Sequence, residues 1–513
     1  MTKRFLAILI GIAVFSLQVK SQPNLKVQLK TLDEYYTKAL VDWKVPGMAV
    51  AIVKDDSVIF AKGFGVREVG KPDKVDKQTI FAIASNTKAF TSASIAILVD
   101  EGKLKWDDKV IKYLPWFQMY DPYVTYNMTV RDLLCHRSGL ATFSGDLLWY
   151  GTNYSRQEVI KRARFLKPVY GFRESYGYSN IMFLTGGEVV QSISGKTWDE
   201  FVSERILKPL GMKRTYTSIK DLAGVDNVAM CHTEFEGKTI SIPYLNWDNI
   251  APAGAINSCV EDLSKWIKLQ LNSGRKGSLQ IFSESRSWEM WSPNIMQNVS
   301  MYTAKQFPSM HFRAYGLGWG LGDYLGRKIV SHSGGYDGML SYTCLIPEEK
   351  TGFVILTNSN NSLYYPLIYK TLDILLGGKD TDWSKLMLEN MKKQQEIDNQ
   401  NKIKEEQERK KDTKPTLNLQ EYEGLYGGDL YGNATIKLVD GELKLSLVPA
   451  PQLYSVLKHW QYDTFSIRFP EFPSLPEGKV TFIINAMGKV EEMRINVPNP
   501  DFDFTELTFK KFE

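Results

Sequence analysis

The 513-residue sequence predicts an α+β domain followed by a smaller all-β unit. Three observations point there. Strand patterns open the chain and recur after Tyr315 with a helix behind them, helical patterns fill the middle, and the segment beyond Thr416 alternates like strands with no helical period. A chain of this length exceeds what one core fills, and 43% hydrophobic content supplies more than one.

The elements follow in order. Lys3 and Arg4 precede an apolar run from Phe5 to Leu17, then Val19-Lys20-Ser21-Gln22. That is the pattern of a signal peptide, 1–21, cut after Ser21, and it predicts export to a periplasm or the outside. A membrane anchor is the other reading, but the run is shorter than the roughly 20 residues that a hydrocarbon core needs. Leu29 to Trp43 has helical spacing. Met48 to Lys54 and Val58 to Phe64 read as a hairpin around Asp55-Asp56-Ser57. Ser85 to Leu98 is small and apolar, a helix buried on most sides and stopped at Gly102. Helical patterns recur at Val130–His136, Gln157–Phe165, Asn180–Ser194 and Thr197–Leu207. Strands are predicted at Leu317–Tyr324, Lys328–Ser333, Met339–Ile346 and Thr351–Leu356, with a helix at Leu363–Leu376. Strands at both ends of this segment suggest one sheet that joins them.

Between 381 and 415 the sequence turns to Lys, Glu, Gln and Asn, with too few apolar positions for a heptad seam, so a solvated helical linker or a disordered one is expected. Beyond it, Thr435–Val439 and Glu442–Leu447 flank Asp440-Gly441, and Lys479–Ala486 and Val490–Val497 flank Met487-Gly488-Lys489. These two hairpins predict a small antiparallel barrel or sandwich at 416–513. The domains are then 1–21, 22–380, 381–415 and 416–513.

Charge excludes some functions. The net charge is +5, of which Lys3, Arg4 and Lys20 supply three, and charges of both signs are interleaved. No nucleic-acid footprint results. Cys135, Cys231, Cys259 and Cys344 are widely spaced without a Cys-x-x-Cys pair, which suggests buried thiols or one disulfide rather than a zinc ribbon. His136, His232, His311, His332 and His459 show no metal-ligand spacing, so no metal or other cofactor is expected.

Chemistry concentrates in three motifs. Ser-x-x-Lys occurs at Ser85, Ser273 and Ser455, but only Ser85 opens a long apolar helix, where Lys88 falls on its own face and can reach the hydroxyl. The N–H groups of a helix start favour an alkoxide and a developing oxyanion. Ser85 is either a nucleophile or a helix cap with an exposed lysine beside it. A serine nucleophile needs a base, and the candidates are Lys88, if burial lowers its pKa, and Tyr178 in Tyr178-Ser179-Asn180. His332-Ser333-Gly334-Gly335 ends a strand in glycines that let backbone approach a ligand. His332 itself reads equally as a satisfied core histidine.

In this order, Ser85-x-x-Lys88, Tyr178-x-Asn180 and His332-x-Gly334 resemble the penicillin-recognising serine hydrolases: class C β-lactamases, D-alanyl-D-alanine carboxypeptidases, family VIII esterases and D-aminopeptidases. Leu133-Leu-Cys-His136-Arg-Ser-Gly-Leu140, Pro252-Ala-Gly254-Ala-Ile-Asn-Ser258 with Asp262-Leu263, and Tyr315-Gly-Leu-Gly-Trp319-Gly are similar to the same superfamily, over about Leu29 to Leu376. The C-terminal unit resembles a lipocalin-like β domain. The resemblance implies a β-lactamase/DD-peptidase-like fold, an antiparallel sheet flanked by helices with an all-helical subdomain. It also implies that Ser85 is acylated, that Lys88 and Tyr178 move the proton, that Asn180 holds Lys88 and the substrate amide, and that the N–H groups of Ser85 and Gly335 bind the oxyanion. Many relatives have Lys where His332 stands. A largely neutral imidazole attracts a substrate carboxylate far less, so the expectation is an exported esterase or D-aminopeptidase-like hydrolase of a small ester, amide or peptide with weak or no β-lactamase activity. The alternatives are a β-lactamase, a D-alanyl-D-alanine carboxypeptidase, or a non-catalytic penicillin-binding-type receptor. The aromatic stretches Tyr113–Tyr126 and Phe143–Tyr154 are candidates for the substrate rim.

Overall fold

The computed structural model describes residues 24–512; the expected signal peptide lies outside the described residues. The first hairpin forms β1 (Gly47–Lys54) and β2 (Ser57–Gly65). The later strands are β3 (Ile295–Gln297), β4 (Arg313–Tyr315), β5 (Gly320–Tyr324), β6 (Arg327–Tyr336), β7 (Met339–Ile346) and β8 (Thr351–Thr357). They join the hairpin in one antiparallel sheet, ordered β2-β1-β8-β7-β6-β5-β4-β3. Both ends of the segment therefore meet at β1 and β8, as the sequence predicts. Period-two alternation divides β1 between two cores. Met48, Val50 and Ile52 pack with α1 (Leu25–Asp42) and the helix Tyr364–Leu376, whereas Ala49, Ala51 and Val53 face the larger core. The last two strands at one side of the sheet, β4 and β3 at its edge, have three residues each, too few for a period to register. The predicted strand at Leu317 begins only at Gly320, because Gly318 is left-handed (φ +75°) and gives its N–H to Leu134 O at 3.0 Å.

The larger core is filled from a helical lobe in which α2 (Thr87–Asp100) lies against α3 (Asn180–Ser194) and the short helix Ala251–Gly254. Gly187 makes the approach possible, since a Cβ there would stand 2.2 Å from Pro252 Cγ. Asp132 is fully buried under this lobe, bonded by Arg137 Nε at 2.6 Å and Arg173 Nη2 at 2.7 Å, and it closes a capping box with Thr129. Burial pushes its carboxyl upward, but the bonds from Arg173 and Thr129 and the charge of Arg137 outweigh it and hold the group below the ordinary carboxylate range. Its stabilisation is therefore complete above that range and is lost as pH falls through the lowered value. Asp132→Ala leaves two arginines unpaired, and thermal or urea unfolding is expected to show a loss of about 3 kcal/mol.

The helix Trp383–Glu408 crosses the charged stretch. Its first turn is anchored, with Trp383 Nε1 donating to Asp373 Oδ2 at 2.7 Å and Trp43 Nε1 to Ser384 Oγ at 2.9 Å; the remainder is largely exposed. Eight antiparallel strands between Gly424 and Lys511 then close into a barrel, which decides between the two predicted forms. The barrel docks on the helical lobe. Tyr154 donates to Tyr431 O at 2.6 Å, Arg162 Nη1 reaches Asp429 O and Leu430 O at 3.0 Å, and the rings of Tyr150 and Phe502 lie 3.9 Å apart. All four cysteines are free and buried.

Candidate active site

Ser85 sits in a 3-10 turn, Ala84–Asn86, just ahead of α2. Ala84 is left-handed (φ +44°), an unusual conformation for a residue with a Cβ. The turn is tied down: Ser341 Oγ donates to Ile83 O at 2.7 Å and accepts from Asn86 Nδ2 at 2.8 Å. Ser85 is no helix cap; Asn86 holds the cap position, without a side-chain bond. The Ser85 hydroxyl instead meets Lys88, whose Nζ lies 2.9 Å from Ser85 Oγ, 2.6 Å from Asn180 Oδ1 and 3.0 Å from Ala253 O. The other two copies of the motif are spent on structure. Lys276 Nζ binds Pro209 O and Leu210 O, and Ser455 Oγ accepts the Arg468 N–H within the barrel.

Lys88 is completely buried, and this burial drives its pKa well below the ordinary lysine value, against the opposing pull of Asp146. A neutral amine has two hydrogens and one lone pair. Asn180 Oδ1 and Ala253 O can only accept, so they take the hydrogens and the lone pair is left facing the Ser85 hydroxyl. The orientation of the Asn180 amide is fixed in turn, because its Nδ2 donates to Asp146 Oδ2 at 2.6 Å. Asp146 Oδ1 accepts from Trp149 Nε1 at 2.9 Å. Burial raises Asp146 to about 7, opposed by these two bonds and by Lys88.

Tyr178 is aimed by the strained turn at His136 (φ +62°). His136 Nδ1 accepts the Ser179 N–H at 3.0 Å, and its ring lies 4.1 Å from that of Tyr178. Burial pushes the phenol well above its ordinary pKa, with the Ser85 hydroxyl working the other way. Tyr178 is therefore a neutral phenol at neutral pH. Lys88 Nζ stands 4.7 Å from its ring centroid.

On β6, His332 Nδ1 lies 2.6 Å from Ser333 O, which can only accept, and Nε2 lies 2.8 Å from the Tyr315 hydroxyl, which donates to it when the ring is neutral. Burial, then the neighbouring Lys88, lower its pKa to about 3. Gly334 brings the strand against the serine turn, where a Cβ would collide with Ile83 O at 2.2 Å and stand 3.0 Å from Ser85 N. Gly335 follows on the open side.

A cleft of two arms meets at these groups. One, of about 600 Å³, holds Ser85, Asn180, Gly335 and Asp337 and is walled by the barrel through Ser474 and Asp501. The other, of about 710 Å³, runs over Gly320 and Gly322 past His332, Tyr342 and Arg313. The fold thus brings Ser85, Lys88, Tyr178, Asn180, His332, Gly334 and Gly335 together. Of the two aromatic stretches, Phe143 and Trp149 line the first arm, while no residue of 113–126 lines either; Tyr120, Tyr123 and Tyr126 are exposed on the lobe instead. The motifs leave Asp146, Asp337 and the barrel residues unmarked as site residues. Asp146 lies inside the aromatic stretch, and a lone carboxylate in an apolar run was the available signal. Asp337 and Asp501 stand in polar turns that look like any other.

The fold is shared with the octameric penicillin-binding protein homologue from Pyrococcus abyssi, at a TM-score of 0.63 and 24% identity over 94% of this chain and all of that one. The Beta-lactamase family matches residues 32–371, and the chain belongs to that family. Residues 408–511 match a domain of unknown function, DUF3471. Among curated relatives, unguisins hydrolase ungD of Aspergillus violaceofuscus is 31% identical over 79% of this chain and 76% of its own length. Protein flp of Staphylococcus aureus strain N315 is 29% identical over 67% of this chain and 65% of its own.

Proposed function

We propose that the chain is a serine hydrolase that cleaves an amide or short peptide, and more slowly a small ester, through an acyl-enzyme on Ser85. The observation that carries this reading is the buried Lys88 amine with its lone pair on the Ser85 hydroxyl. In the proposed cycle, Ser85 Oγ attacks the substrate carbonyl and its proton passes to Lys88. The N–H groups of Ser85 and Gly335 take the oxyanion. Tyr178 gives its proton to the leaving nitrogen and is reprotonated from Lys88, and water then releases the acyl group by the reverse transfers. A relative named as a hydrolase supports turnover over a receptor role.

The cleft supports a substrate charged at both ends. Asp337 Oδ1 accepts from Ser474 Oγ at 2.7 Å and Tyr150 at 3.2 Å, and Oδ2 has no side-chain partner among the described residues. Burial first, then the charge of Asp501, raise its carboxyl, to about 6, despite the bonds from Ser474 and Tyr150. A substrate ammonium would relieve this pair. In the other arm Arg313 makes no salt bridge among the described residues and lies among Tyr176, Tyr342 and Tyr369, placed for a carboxylate that neutral His332 cannot hold. We therefore assign the amino end of a peptide to the first arm and its carboxyl end to the second.

The test is kcat/KM for aminoacyl nitroanilides of both configurations, their N-acetyl forms, a nitrophenyl ester and benzylpenicillin. Free-amino substrates are expected to lead, and Asp337→Asn to lower their kcat/KM about 10- to 100-fold while sparing N-acetyl forms. Equal rates with and without the amine would overturn the substrate assignment, and faster turnover of benzylpenicillin would favour a β-lactamase.

A further inference from the structure

The turn that carries Asp146 is held from the other domain. Glu506, in the last turn before the final barrel strand, accepts from Ser144 Oγ at 2.5 Å and from Gly145 N at 2.8 Å. These groups begin the short 3-10 helix Asp146–Leu148. The turn is bent unusually: Phe143 (φ +63°) and Gly145 (φ +78°) are both left-handed, and a Cβ on Gly145 would press on Leu166 Cδ1 at 2.6 Å and Ile181 Cδ1 at 2.8 Å. The same turn gives its Phe143 N–H to Tyr178 O at 2.8 Å. One four-residue segment thus touches the backbone of Tyr178, the amide of Asn180 through Asp146, and the barrel through Glu506.

We propose that Glu506 is a positioning residue supplied by the barrel of the same chain: by pinning the 143–146 turn it aims Asp146 at Asn180, which turns the lone pair of Lys88 toward Ser85. The barrel is then a working part of the catalytic apparatus as well as a wall of the cleft. The chain of bonds is continuous. Glu506 holds Gly145, the next residue Asp146 holds Asn180 Nδ2, and Asn180 Oδ1 takes one hydrogen of Lys88. A carboxylate loosened at Asp146 would let the amide rotate, present its NH2 to Lys88, and draw the lone pair away from the serine. The charged and titratable groups around Asp146 are Lys88, Tyr178 and Glu506.

This inference rests on Ser85 being the nucleophile, and the experiment separates the two. The burst of nitrophenol from p-nitrophenyl acetate reports acylation in the full chain. Glu506→Gln, and Ser144→Ala which cuts the same link from the lobe side, are each expected to slow the burst about 10- to 100-fold with little change in KM. The acid limb of its pH profile should move to lower pH, since a displaced Asp146 no longer raises Lys88. A mere loss of folded protein would shrink the amplitude and leave that limb in place. Arg162→Ala cuts the barrel contact elsewhere and should keep the wild-type rate. If Glu506→Gln does not fold, Ser144→Ala decides. Wild-type rate and profile in the folded variants, or an equal loss in Arg162→Ala, would overturn the proposal. A wild-type burst that survives in Ser85→Ala would remove the nucleophile reading and this inference with it.

Discussion

Ser85→Ala is expected to abolish the acyl-enzyme and to lower kcat/KM by about 10⁴- to 10⁶-fold, with the fold intact. The size follows from what the hydroxyl does: it forms the covalent bond, and groups that act on a nucleophile contribute little once it is gone. Lys88 and Tyr178 would still be present, yet no proton would need moving. Stability should hardly change, because Ser85 is not a cap and its hydroxyl meets Lys88 and Tyr178, which keep their other packing. Ser273→Ala is the control from the same motif in a polar turn, and it should turn over as wild type. Intact-mass detection of a stalled acyl group, together with steady-state rates, checks both. A Ser85→Ala protein that still acylates would sink the assignment.

The second large effect is expected at Lys88. Lys88→Met keeps the volume of the buried stem but removes the amine, and acylation should fall about 10²- to 10⁴-fold, the range of a lost general base. The wild-type pH profile carries the same information. Because burial lowers Lys88, the neutral base persists to lower pH than a free lysine would allow, and kcat/KM should drop as pH falls through the lowered value and the amine takes a proton. Unfolding returns the amine to water, so between the two values the unfolded chain holds one more proton, and this site's contribution to stability rises with pH across that window. Tyr178 titrates upward from its usual range and so sets no acid limb of its own. An acid limb that persists unchanged in a residually active Lys88→Met would assign the base elsewhere.

Much of the fold was legible because it is written in local periods. The alternation of Met48 to Lys54, the unbroken apolar face after Ser85 and the Asp440-Gly441 turn each specify their element within a few residues. Strands of three residues carry no period, and the break at Leu317–Trp319 depends on a left-handed Gly318 that no pattern marks. The site divides in the same way. Ser85 and Lys88 are neighbours by helical spacing alone, and Gly334 is required where a strand meets the serine turn.

By itself, the sequence determined the order of strands and helices, the two folding units, and the residue types able to carry acyl transfer. Only the tertiary structure decided that Lys88 is buried, which distant groups surround its amine, and which residues line each arm of the cleft. The reason is physical. Asn180 and Ala253 reach Lys88 from 92 and 165 residues away, and Glu506 reaches Gly145 across 361. Burial, which sets the charge of Lys88, exists only once those distant segments have excluded water around it.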